Sequence, residues 1–276
     1  MTIVIVLVLL LLLYADLIRP NLPRRDISPL RGVDYAHRGL WNSNEPSEAN
    51  RPENSLAAFR AAAEKGYGIE LDVHRTSDGA LVVHHDDSLK RLTGQDIRIA
   101  RSTLAEVRAC RLPNGEPIPT YDEVLDTVAG RIPMIVELKT EDGNHAALCQ
   151  AVHARMKAYD GAWCMESFDP LAVQWFRLNA PEIIRGQLAY DAAGKGRNVR
   201  EFMRNLGCAS MLQNLLGRPD FIAFSAASVK WHSFPIHLLR LMKPWFAAWT
   251  VRSQADMDRL RPRWDIQIFE RFEAKK

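Results

Sequence analysis

"IELDVHRTSDGALVVHHDDSLKRLTG", Ile69 to Gly94, carries Glu70 and Asp72 two residues apart on a run that reads as a strand, with His84-His85-Asp86-Asp87 following about a dozen residues later. Side chains alternate across a strand, so Glu70 and Asp72 share one face, whereas His84 and His85 point to opposite faces. Only "RTSDG" separates "YGIELDVH" from "ALVVHH", and Asp78-Gly79 is a turn signal. So short a connection cannot hold a crossover helix and reads as a hairpin. Two readings of the cluster stand open at this point: the polar face of an exposed hairpin, or a site that holds a cation and moves protons.

Outward from this stretch the chain alternates strands and helices. "GVDYAH" is followed by "NSLAAFRAAAEKG", a helix with an Asn-Ser start and Gly66 at its end. "TYDEVLDTVAG" is a capped helix leading into "IPMIVELK", and the same alternation continues through "AWCMESF", "IIRGQLAY", "DFIAFS" and "FAAWTV" to a last strand "DIQIF". These make nine strand candidates, one more than a parallel barrel needs, and the pair flanking Asp78-Gly79 is the expected extra, antiparallel piece. The expected fold is a somewhat irregular TIM-type (β/α)8 barrel preceded by a hydrophobic helix at the amino end. A chain of 276 residues with 47% hydrophobic and 25% charged residues is long enough for one such barrel and has the balance of an ordinary globular protein.

Reactive groups of such barrels lie at the carboxy ends of strands. His37-Arg38, Glu70 with Asp72, His85, and Glu137 with Lys139 all fall there. Three acids converging in a barrel mouth repel one another unless they are neutralised, and an all-oxygen ligand set suits Mg²⁺ or Ca²⁺ better than zinc. The alternative is a salt-bridge network with Arg38, Lys139 and Arg75.

The net charge is +3, and the basic residues are spread along the chain without an aromatic-interleaved stripe, so nucleic acid is not an expected partner. Cys110, Cys149, Cys164 and Cys208 have no C-x-x-C spacing and read as reduced, buried thiols. At the amino end, thirteen uninterrupted apolar residues run from Ile3 to Ala15, with Arg19, Arg24 and Arg25 beyond them. With no basic n-region and no small-residue cleavage site, the run reads as a single-pass anchor in the inner (cytoplasmic) membrane and not as a cleaved signal. The arginines beyond it put the body in the cytoplasm. The expected organisation is an anchor over 1–18, a Pro-rich linker over 19–31 and a barrel over 32–276.

"AHRG", "RPENSLAAF", "GIELDVHRTSDGALVVHHDDSLKRLTG", "IPTYDEVL", "IVELK", "SFDP" and "WTV" occur in an order and spacing that resembles the glycerophosphodiester phosphodiesterase family, from about Val33 to Phe272. The resemblance implies a barrel of the type read above and metal-dependent hydrolysis of glycerophosphodiesters to sn-glycerol 3-phosphate and an alcohol. His37 and His85 take the positions of the two catalytic histidines, one general base and one general acid; Glu70, Asp72 and Glu137 those of the metal ligands. Arg38 and Lys139 match phosphate contacts, with Glu53 of "PEN" close by. Phe168 and Trp249 match the apolar lining for glycerol, with barrel core as the alternative for each. His84 receives no catalytic role.

Two departures stand out: a long connection from His37 to Glu53 carrying Glu45 and Glu48, and the ending "DIQIFERF". Cleavage of a lysolipid or membrane lipid on the same scaffold is the rival reading. An inactive, membrane-attached binding barrel would lack a histidine or a metal acid, and none is missing.

Overall fold

The computed structural model of this protein describes residues 1–42, 50–191, 198–229 and 233–275. Among the described residues there are nine strands: β1 (Tyr35–His37), β2 (Gly68–Arg75), β3 (Leu81–Val83), β4 (Met134–Leu138), β5 (Trp163–Ser167), β6 (Arg185–Ala189), β7 (Phe221–Ser225), β8 (Trp245–Val251) and β9 (Ile266–Phe269). They order as β1-β9-β8-β7-β6-β5-β4-β2-β3, and β1 also pairs with β2, which closes a barrel of eight parallel strands. The ninth, β3, runs antiparallel to β2 outside the ring, with His74 opposite Val82. The extra strand is therefore the one flanking Asp78-Gly79.

Several helices start where the sequence supplies caps. Ser55 accepts a hydrogen bond from the Ala58 amide to start Leu56–Glu64, and Thr120 with Glu123 closes a capping box on Tyr121–Val128. Between β3 and the Tyr121 helix, Leu89, Ile99, Val107, Cys110, Leu112 and Ile118 gather with Val82 into a small core of their own.

Strand parity sorts the remaining core. Tyr35, Ile135, Cys164, Leu188, Phe221, Ala223, Ala247, Ile266 and Ile268 form one buried cluster, and they occupy a single parity on their strands. They fill the barrel interior. Gly186 belongs to the same parity, and its missing side chain leaves the space that the Phe221 ring occupies. The opposite parity, with Val136, Met165, Ile222 and Phe269, packs outward in the larger cluster with Phe59, Val124, Leu125, Val173 and Phe176 of the helices. All four cysteines are buried free thiols.

The amino-terminal apolar run does not form the expected membrane-spanning helix. Thr2–Ile18 is a helix, α1, of 17 residues. At about 1.5 Å per residue it is about 25 Å long, against about 30 Å of hydrocarbon to cross. Its last turn is also tied to the barrel: Tyr14 Oη donates to the Ser210 carbonyl at 2.7 Å, Asn214 Nδ2 donates to the Ile18 carbonyl at 2.9 Å, and Ile18 is fully buried. That leaves the exposed turns Thr2 to Leu13, about 18 Å. Among the described residues no helix is long and apolar enough to cross a membrane, so the single-pass inner-membrane localisation is not supported. The apolar run alone suggested a span because sequence does not reveal where a helix becomes part of a domain.

Candidate active site

The inward parity that fills the barrel floor continues, two residues further along each strand, into its mouth. After Tyr35 comes His37, after Ile135 comes Glu137, after Cys164 comes Glu166, and after Ile268 comes Glu270. Glu70 and Asp72 of β2 join them. The resulting cavity of about 300 Å³ is bordered by His37, Arg38, Glu53, Glu70, His85, Glu137, Lys139, Glu166, Phe168, Trp249 and Glu270, among others.

Each cavity histidine is held at Nδ1 by a carboxylate. His37 Nδ1 lies 2.7 Å from Glu270 Oε2, and His85 Nδ1 lies 2.7 Å from Asp86 Oδ1. A carboxylate only accepts, so each ring donates from Nδ1 and keeps Nε2 free to accept. Burial lowers the pKa of both, against the upward pull of Glu270 on His37 and of Asp72 on His85. Burial would raise Glu270, but His37 and Arg252 hold it at about 2. Asp86 is likewise held at about 2 by Arg91 and His85 against its own burial. His84, in contrast, is fully buried, and its Nδ1 engages the backbone of Asp86 at 2.9 Å from the carbonyl and 3.1 Å from the amide. It does not border the cavity.

Glu70, Asp72 and Glu137, all buried, bring one carboxylate oxygen each within 4.8 Å of the others. Arg38 adopts φ 58° at the end of β1, and its amide donates to Glu70 Oε2 at 3.0 Å. Gly39 follows at φ 80°, against Ala58, where a side chain would collide. Asn54 Nδ2 donates to Asp72 Oδ2 at 2.7 Å. Lys139 Nζ bridges Asp72 Oδ1 at 2.9 Å and Glu137 Oε1 at 2.7 Å, while Arg38 Nε lies 3.6 Å from Asp72 Oδ2. Burial would raise Asp72, yet Lys139 and Arg38 hold it well below the carboxylate range. Burial raises Glu70, Glu137 and Glu166, and neighbouring acids add to it. Lys139 and Arg38 therefore neutralise only part of the cluster, and Glu70 Oε1 remains buried without a hydrogen-bond partner. An all-oxygen set with an orphaned buried oxygen fits a hard divalent cation such as Mg²⁺ or Ca²⁺. Arg75, expected as a further cation in a salt-bridge network, packs instead beside Gly79 at the hairpin turn.

Glu53 reaches the cavity wall between two guanidinium groups, at 2.9 Å from Arg38 and 2.5 Å from Arg91. Phe168 and Trp249 meet edge to face at 5.6 Å on the opposite wall. The candidates His37, Arg38, Glu53, Glu70, Asp72, His85, Glu137, Lys139, Phe168 and Trp249 thus come together, whereas Arg75 stays outside the group. Glu45 and Glu48 of the long connection lie outside the described residues. Four participants were missed: Glu166, Glu270, Asn54 and Arg91. Parity would have found the first two, since each is an acid two positions beyond an inward apolar residue at a strand end.

A parallel barrel with two carboxylate-held imidazoles, a carboxylate cluster and half-buried cations at its mouth has the groups to take up an anionic group and a metal ion. The chain belongs to the glycerophosphoryl diester phosphodiesterase family, whose family model matches residues 37–264. It is 37% identical over 120 residues to a glycerophosphodiester phosphodiesterase of Caldanaerobacter subterraneus, covering 40% of this chain and 46% of that one. A human lysophospholipase D is 30% identical over 165 residues, 55% of this chain and 48% of its own. In both cases the match spans less than half of the relative's length. Among solved structures, an Oleispira antarctica phosphodiesterase in complex with its product sn-glycerol-3-phosphate superposes with a TM-score of 0.68 at 22% identity, covering 87% of this chain and 93% of the other. That likeness is one of fold.

Proposed function

We propose that this protein hydrolyses glycerophosphodiesters to sn-glycerol 3-phosphate and an alcohol, with a divalent cation, Mg²⁺ or Ca²⁺, held by Glu70, Asp72 and Glu137. One observation carries the reading: two imidazoles, each fixed at Nδ1 by a carboxylate, face a cavity bordered by Glu70 and Glu137 of the acid trio and by two half-buried cations. When bound, the cation supplies charge to offset the phosphoryl oxygens and lowers the pKa of an attacking hydroxyl or water. Arg38 and Lys139 orient the phosphate and take up the charge that develops on it. His37 and His85, free at Nε2, exchange protons with the attacking and leaving oxygens. Phe168 and Trp249 cover the carbon side of glycerol and exclude water there. Glu53 keeps Arg38 and Arg91 in place.

The test measures turnover on a panel of glycerophosphodiesters and on lysolipids, after chelation and with Mg²⁺ or Ca²⁺ restored. Release of sn-glycerol 3-phosphate that vanishes on chelation and in both His37→Ala and His85→Ala supports the reading. Full activity after chelation overturns the metal part of it. Cleavage of lysolipid alone assigns the substrate to the rival class, to which the similarity with the human lysophospholipase D points.

A further inference from the structure

β2 does not stop at Asp72. Its inward parity runs on to His74, one step above the rim, where the strand leaves the barrel to pair with β3. His85 is likewise followed after two residues by Asp87, and Lys139 by Glu141. The three continuations meet: His74, Asp87 and Glu141 each bring a ligand atom within 4.8 Å of the others. His74 is 1% exposed, and its Nε2 is buried with no hydrogen-bond partner. Glu141 Oε1 is buried and unpartnered too. A buried imidazole nitrogen without a partner costs free energy, and two facing carboxylates add repulsion. Arg98 offsets that repulsion only in part, since Glu141 is still pushed up to about 7, by burial first and then by Asp87.

The geometry points to a second divalent-metal site, on His74, Asp87 and Glu141, suited to a borderline transition ion such as Zn²⁺ and not to Mg²⁺ or Ca²⁺. One imidazole with two carboxylates is a ligand set for Zn²⁺ or its neighbours, with a fourth position left for water. The groups are delivered on fixed backbone: the Asp87 carbonyl accepts from the Ile99 amide at 3.1 Å, and the Glu141 amide donates to Asn144 Oδ1 at 2.9 Å. Asp87 also borders a cavity of about 370 Å³ shared with Lys139 and Thr140, which gives an ion a way in. About 6–7 Å of strand separates Asp72 from His74, and the two ligand groups have no residue in common. The second ion would therefore cross-link three segments, the end of β2, the loop that carries His85 and the turn after Lys139. The inference does not rest on the proposed hydrolysis.

Zn²⁺ titrated by calorimetry into the full chain saturated with Mg²⁺ tests it. The expected result is one Zn²⁺ per chain, a raised melting temperature, and binding at least tenfold weaker in each of His74→Ala, Asp87→Asn and Glu141→Gln, but retained in Glu70→Gln. The last two of the trio alter partly or fully exposed groups, so the test survives even if His74→Ala does not fold. Absence of Zn²⁺ uptake, equal uptake in all the variants, or loss only in Glu70→Gln overturns the site.

Discussion

His37 Nδ1 and Glu270 Oε2 lie 2.7 Å apart, although the two residues are 233 positions apart in the chain. The contact closes the barrel chemically as well as geometrically, because β1 and β9 are the strands that complete the ring. Arg252 Nε, 2.8 Å from Glu270 Oε1, holds the other oxygen of the same carboxylate.

Glu270 is thus a positioning residue for His37. Glu270→Gln keeps the shape but removes the charge that favours a protonated ring and that selects the Nδ1–H tautomer. The expected outcome is a kcat reduced on the order of 10²-fold or more with KM little changed. Since Glu270 raises the His37 pKa, its loss moves the His37 limb of the pH–rate profile to lower pH. Steady-state kinetics over pH 5 to 9 on both proteins, roughly spanning the ordinary imidazole range, checks this.

The same carboxylate makes a prediction for stability. Its pKa falls from an ordinary 4.5 to about 2 on folding. A depressed folded-state pKa means a contribution fully present above about pH 4.5 and lost as pH falls toward 2, on the order of 3 kcal/mol across that window. Urea unfolding from pH 7 down to pH 3 should therefore show a fall in midpoint for the natural protein that is shallower in Glu270→Gln. Parallel curves would refute the assignment.

Much of the barrel was legible because the strands carry their own parity and several helices their own caps. Tyr35 and His37, or Ile135 and Glu137, announce an inward face that changes from apolar to reactive within two residues. Glu166 and Glu270 obey the same rule and were still passed over, since neither sits in a run that looks unusual. Asn54 and Arg91 were illegible for a different reason. Their partners, Asp72 and Glu53, are set by how loops fold over the mouth, and no periodicity encodes that. The amino-terminal helix failed in the opposite direction: composition was read as a span although Tyr14 and Ile18 belong to the packed barrel.

Lys139 gives a prediction about metal and stability together. Its ammonium sits between Asp72 and Glu137, and both acids push its pKa up against the pull of burial. Lys139→Met leaves buried carboxylates without that partner, a loss of about 3–5 kcal/mol in the absence of added metal. If the three acids bind a cation, millimolar Mg²⁺ should restore more of the melting temperature in Lys139→Met than it adds to the natural protein. Differential scanning calorimetry with and without Mg²⁺ measures the difference, and equal increments would argue against a cation among these acids.

The neighbouring histidines separate chemistry from packing most directly. His85 borders the cavity with Nδ1 on Asp86, whereas His84 turns away and secures the Asp86 backbone. His85→Ala should reduce turnover by about 10²- to 10⁴-fold, as loss of a proton-transfer group does, with a melting temperature close to that of the natural protein. His84→Ala should do the reverse: a stability loss of about 1–3 kcal/mol from an emptied, buried site and an unpaired amide, with turnover falling only as far as Asp86 and His85 shift. Measuring kcat and urea midpoint on both variants gives a crossed pattern if the assignment holds. Equal losses of turnover at the two positions would mean that His84 also acts on the substrate, and the division of roles along this strand would have to be redrawn.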